Sequence, residues 1–98
     1  MSNEAIEAIK TYKFGQSRAP LSRVEKYVAM VNGNEAHRRG VAAALAEVLS
    51  SDATWEAKQF VCRQLAIIGT DAEVPAIALL LNDVHTADMA RYALEPME

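Results

Sequence analysis

Cys62, His37 and His85 are the residues whose types could do chemistry. A thiol and two imidazoles could build a soft metal site or a Cys–His nucleophile pair. Their spacing argues against both. Zinc sites use four ligands, usually paired at short spacing, whereas these three lie 25 and 23 residues apart. Cys62 falls beside an apolar stripe and reads as a buried, inert thiol. The two histidines lie near helix starts or turns, where a solvated ring is the ordinary outcome. No glycine-rich phosphate loop and no Ser/His/Asp arrangement is present. The carboxylates, Glu4, Glu7 and Glu47 among them, are scattered over polar faces, with no apolar pocket to make one a general acid. The chain therefore reads as a non-enzyme, with no cofactor and no metal.

Seven cations in the first half suggest a second chemistry, phosphate binding. They are Lys10, Lys13, Arg18, Arg23, Lys26, Arg38 and Arg39, and only Glu25 and Glu35 offset them between positions 10 and 39. Tracking a nucleic acid needs such charges on one face. Helical spacing pairs Lys10 with Lys13 and Arg23 with Lys26 but does not align the pairs. Residues 1–50 carry seven basic and five acidic groups, residues 51–98 three and eight. The acidic second half would repel DNA, so nucleic acid is not the expected partner. Halves of opposite sign could also favour head-to-tail association.

Tyr12, Phe14, Tyr27 and Trp55 could form a binding surface, since Trp and Tyr are over-represented at interface hot spots. The alternative, which the composition favours, is that they seal the ends of a helical stack.

These residues must be positioned by helices. Ile6 and Ile9 define a first helix over about 3–13, closed by Phe14-Gly15 and followed by a loop to Pro20. Leu21, Val24, Val28 and Val31 mark one face of a second helix, with Gly33 as its expected left-handed cap. A third helix spans about 35–49, with Val41, Leu45, Val48 and Leu49 inward. Ser50-Ser51-Asp52 is the expected cap of a fourth, about 53–68, with Ala57, Val61, Leu65 and Ile68 inward. Glu56, Gln59 and Arg63 fall on its wetter side. Thr70 and Glu73 have capping-box spacing for a fifth helix reaching about Leu81, although Pro75 requires a later start or an irregular first turn. A sixth spans about 86–94. Short connections make sequential helices antiparallel neighbours.

Composition agrees. Half of the 98 residues are hydrophobic, yet only six are aromatic and 18 are alanine. Alanine is the best helix former and lets helices approach closely. No segment has the length and apolarity of a membrane span. The start, Met1-Ser2-Asn3-Glu4, lacks the pattern of a signal peptide. The single Cys62 excludes an internal disulfide framework, and the expected location is cytoplasmic.

Self-similarity decides the arrangement expected. Leu45-x-x-Val48-Leu49-x-x-Asp52 returns as Ala76-x-x-Leu79-Leu80-x-x-Asp83, an offset of 31. Val61-Cys62-Arg63 returns as Met89-Ala90-Arg91, an offset of 28. A unit of about 30 residues built as a helix pair is the mark of an α-solenoid. On this alignment Arg63 and Arg91 are equivalent, with Asp52 and Asp83 as their natural turn partners. All four are then structural repeat residues.

The stretch from Val74-Pro75-Ala76 through Leu79-Leu80 to Asp83 resembles the first helix and turn of short HEAT repeats, the type also found in phycobilisome-lyase-like proteins. Further segments are similar to bacterial HEAT-repeat proteins known chiefly from planctomycete-type genomes: Thr11-Tyr12 to Gly15, Arg18-Ala19-Pro20-Leu21, Phe60 to Leu65, Ile68-Gly69-Thr70, and Met89 to Glu95. The chain departs from that pattern at Phe14, where Trp is frequent, at Asp88, where His is frequent, and at Arg91, two places after Met89. The resemblance implies an all-α fold, an α-solenoid of about three antiparallel helix pairs with about six helices in one domain over 1–98. It implies the opening part of a longer array, with no established activity. In such arrays the even-numbered helices line the concave side, which makes Trp55, Gln59 and Arg63 the candidate interaction surface. A scaffold or protein-binding module is the function expected, with a nucleic-acid-binding or enzyme-associated HEAT-like module as the alternative. HEAT-like DNA glycosylases show that such folds can bind DNA.

Solenoids need polar ends. Ile77, Leu79, Leu80, Leu81, Met89, Leu94 and Met97 leave the last unit apolar. Either this end meets another chain, possibly a second copy, or the protein belongs to a longer array.

Overall fold

A computed structural model describes residues 3–97, apart from the side chain of Met97, which was among the apolar residues expected at the last unit's surface. All described regular structure is helical, in six α-helices and three short 3₁₀ turns. The helices are α1 (Asn3–Lys10), α2 (Ala19–Val31), α3 (Glu35–Leu49), α4 (Trp55–Ile68), α5 (Val74–Ala78) and α6 (Ala87–Leu94). The first is shorter than its periodicity predicts, ending at Lys10 rather than near Lys13.

Local chemistry explains most boundaries. Pro20 sits in the first turn of α2, where its missing N–H costs nothing. The Asn34 side chain caps α3 by accepting from the His37 N–H at 3.2 Å. Pro75 does displace the start of α5. Asp71–Glu73 forms a 3₁₀ turn first, and α5 begins at Val74 with proline in its own first turn. The Thr70–Glu73 capping box forms as the spacing predicts: Glu73 Oε1 accepts from the Thr70 N–H at 2.7 Å.

Two caps differ from expectation. Gly33 does not take up a left-handed conformation; among the described residues only Gly15 does, with φ 95°. The tight reversal is therefore in the α1–α2 loop, while α2 passes to α3 through ordinary backbone. Thr54, not Ser50-Ser51-Asp52, caps α4, accepting from the Ala57 N–H at 3.1 Å. Ser51 instead folds the turn before it, donating to the Val48 carbonyl at 2.7 Å and accepting from the Ala53 N–H.

Each helix in a sequential pair packs on its mate: α1 on α2, α3 on α4, α5 on α6. Odd helices also touch odd ones, α1 on α3 and α3 on α5, and even helices touch even ones, α2 on α4 and α4 on α6. The body measures 33 × 32 × 17 Å. Two helices about 8–10 Å apart, each with a Cα radius of about 2.3 Å, give a thickness near that smallest extent. The core runs along the middle through Ile9, Leu21, Val28, Leu45, Leu65, Ile68 and Ile77.

Burial places the correspondence between the last two helix pairs one residue later than identity does. Val41, Leu45 and Val48 are buried on α3; the matching buried residues are Glu73, Ile77 and Leu80, an offset of 32. Ala57, Val61 and Gln64 match Thr86, Ala90 and Ala93, an offset of 29. The sequence offsets of 31 and 28 would pair buried Val48 with Leu79, which is 65% exposed, and buried Ala57 with exposed His85. Leu, Val and Ala exchange readily at inward positions, so identity follows the register poorly while packing enforces it.

Candidate functional site

Thr54 joins three segments at one edge of the molecule. Its N–H donates to the Lys10 carbonyl at 2.9 Å, closing the end of α1 onto the α3–α4 turn. Its hydroxyl accepts from Ala57 and donates to the Tyr12 carbonyl. That anchors the loop after α1 beside the start of α4. Thr54→Ala is expected to destabilise by about 1–2 kcal/mol, through the lost cap and an unpaired carbonyl. Thr54→Ser keeps both bonds and should lose much less. Thermal unfolding, where 1 kcal/mol moves the midpoint by roughly 4–8 °C in a domain of this size, separates the two.

The anchored loop carries an aromatic row. The Tyr12 and Phe14 rings meet edge to face at 6.3 Å, and Phe14 meets Trp55 edge to face at 5.2 Å. On its other side Trp55 stacks on His85, 4.9 Å between centroids and 19° between planes. The Phe14 N–H donates to Glu56 Oε2 at 3.4 Å, and Gln59 Nε2 donates to the His85 carbonyl at 2.6 Å. The segments leading into α2, α4 and α6 therefore share one edge, with Trp55 and Gln59 as the link between them.

Trp55, Gln59 and Arg63 lie at i, i+4 and i+8 on α4, on adjoining outward positions. Trp55 and Gln59 are half-buried by the row just described, whereas Arg63 is exposed. His85 is the member that sequence reasoning missed as a site residue. It was placed correctly at the surface, but its ring position depends on the α5–α6 turn folding back to α4.

Beside the row is a shallow open depression lined by Tyr12, Phe14, Arg18, Leu21, Glu56 and Arg63, among others. Its volume of ≈ 20 Å³ is room for about one water molecule. Small-molecule sites are typically about 300–1,000 Å³. The surface suits a side chain of a larger partner better than a free metabolite.

The expected Arg–Asp ladder does not form. Arg91 pairs with Asp88, one turn away on α6, and not with Asp83. Asp83 Oδ1 accepts from the His85 N–H at 2.8 Å and so shapes the turn before α6. Asp52 is exposed in its turn. With the offset of 29, Arg63 corresponds to Tyr92 rather than to Arg91. A turn aspartate satisfies the nearest backbone N–H at little entropic cost, whereas reaching an arginine in another element immobilises a long side chain.

Among the seven N-terminal cations, Lys10 pairs with Glu7 at 3.1 Å, Arg18 with Glu25 at 3.6 Å and Arg39 with Glu35 at 2.9 Å. These exposed pairs add little stability, but each offsets a positive charge locally. Cys62 is fully buried, and desolvation pushes its thiol up to about 12 from 9.0. His37 and His85 are exposed and far from it in the chain. Among the described residues no three of His, Cys, Asp and Glu gather into a set that could hold a metal ion. No described helix is long and apolar enough to cross a membrane.

The last unit divides differently from its sequence pattern. Ile77 and Leu80 are core residues, and Met89 and Leu94 are half-buried against the core. The exposed apolar residues are Leu79, Leu81 and, unnoticed in the sequence, Val84 and Tyr92.

No family model, curated protein or solved structure matches this chain.

Proposed function

We propose that the chain is a HEAT-like α-solenoid module of three helix pairs that binds another protein and performs no catalysis. The solenoid reading draws on three features. Contacts run odd helix to odd and even to even, the segments leading into the even helices share one edge, and burial recurs between the last two pairs. The binding reading is carried by one observation: each even helix leaves a large apolar side chain on its outer face. These are Met30 on α2, Ile67 on α4 and Tyr92 on α6, each more than half exposed. Apolar groups aligned across neighbouring helices mark interaction surfaces, whereas isolated ones are common.

A photo-crosslinking amino acid placed at Arg63 tests this in cells. A discrete crosslinked protein is expected from position 63 and not from His37, exposed on α3. Equal labelling from both positions, or none from 63, would remove the reading.

Self-association is a second reading, favoured by Leu79 and by Val84, which is 89% exposed. These residues sit on the last unit, away from the even-helix face. Light scattering at high micromolar concentration should give a mass above 10.7 kDa. Val84→Lys should return it to the monomer value. A monomer throughout would rule this reading out.

A further inference from the structure

The groove between α2 and α4 carries the inference furthest, and it rests on the protein-binding reading above. Phe14, 59% exposed, stands at one end, beside Arg18 and Leu21. Met30 and Ile67 stand at the other. Their level follows from the register of the two helices. Both helices begin at the shared edge, their buried residues run in step, and the last of these are Val31 and Ile68. Met30 and Ile67 each come one residue earlier. From Glu56 to Ile67 the stripe along α4 extends about 16 Å, roughly three helical turns.

The charges around this groove are unbalanced. Arg23, Lys26 and Arg63 are exposed, and none of them has an ion pair among the described residues. Arg18 is held only by the 3.6 Å contact to Glu25. Of the nearby carboxylates, Glu25 faces Arg18, and Glu56 accepts from the Phe14 N–H. An apolar floor with free cations on both walls matches one kind of ligand. We propose that the α2–α4 groove receives an amphipathic helix of a partner protein, about three turns long. Its apolar stripe would lie on Phe14, Met30 and Ile67, and its acidic flanks would face Arg23, Lys26 and Arg63. A nucleic acid would use the same cations but would leave the apolar residues uncovered.

The test is an amide chemical-shift titration of the ¹⁵N-labelled protein with three probes. One is a helical peptide of about four turns with Leu at i, i+3, i+4 and i+7 and Glu elsewhere. The second carries Lys for each Glu, and the third is a short DNA duplex. Shifts confined to α2 and α4 are expected with the acidic peptide and at least about tenfold weaker binding of the basic one. Ile67→Lys and Arg63→Glu, both at exposed positions, should each weaken the acidic peptide about tenfold while leaving the unfolding midpoint in place. Equal binding of both peptides, shifts elsewhere on the molecule, tighter binding of the duplex, or no shifts at millimolar peptide would overturn the proposal. A crosslinked partner whose contacting segment is basic or extended would also overturn it, while leaving the protein-binding function intact.

Discussion

Leu65→Ala is expected to remove about 2–5 kcal/mol of stability. Leu65 is fully buried on α4, the helix that packs on α1, α2, α3 and α6. Truncation removes the transfer energy of three heavy atoms and leaves a space that four neighbours must collapse to fill. A domain of this size has roughly 5–15 kcal/mol in total, so one substitution consumes a large share. The internal control is two residues away. Ile67 is 54% exposed, and Ile67→Ala should change stability by no more than about 0.5 kcal/mol. Denaturant unfolding, followed by the single Trp55, measures both. Equal costs at 65 and 67 would mean that the inner and outer faces of α4 are misassigned.

Cys62 should be almost unreactive in the native state and should make folding sensitive to alkali. Burial pushes its thiol to about 12 from 9.0. At pH 8 this lowers the thiolate fraction about 1,000-fold, and the thiolate is the reactive form. Labelling with a chromogenic disulfide should therefore wait for unfolding and then yield one thiol per chain, since Cys62 is the single cysteine. The folded state holds the neutral thiol, so the stability it contributes is complete below about 9. That stability is lost as pH rises from there towards about 12, at roughly 1.4 kcal/mol per unit. Cys62→Ala lacks this slope. The stability difference between wild type and Cys62→Ala should therefore shift steadily against the wild type above pH 9, even though tyrosines and lysines titrate in both proteins. Parallel curves, or rapid labelling at pH 8, would contradict the burial of Cys62.

Much of the fold was legible because helical signals are local. The stripe Val41, Leu45, Val48 and Leu49 predicted α3 with its observed ends, and Thr70 with Glu73 predicted a capping box that forms. Pro75 announced the irregular start of α5. The errors arose where several local solutions had similar energy. Thr54, Ser51 and Asp52 could each cap α4, and only the approach of the α1–α2 loop, with its Tyr12 carbonyl, selects Thr54. Gly33 and Gly15 could each take positive φ, and the loop that must cross the end of α4 uses Gly15.

The candidate site was legible in part. Trp55, Gln59 and Arg63 share adjoining positions on α4 by spacing alone. Their surroundings are not written near them in the chain. Phe14 lies 41 residues before Trp55 and His85 lies 30 after it, yet both rings touch it. The pairing of Arg63 and Arg91 with turn aspartates failed for a related reason. Sequence identity aligned the arginines at an offset of 28, while packing aligns the helices at 29.

The sequence by itself determined the helical class, five of the six inward stripes in outline, the absence of clustered metal ligands and the buried place of Cys62. Those properties depend on periodicity and composition within about four residues. Only the tertiary structure decided the register between helix pairs, the choice of cap at Thr54, the row from Tyr12 to His85 and the exposure of Leu79, Val84 and Tyr92. Each of these depends on which distant segment arrives, and a one-residue change in register reorients every side chain on a helix by about 100°.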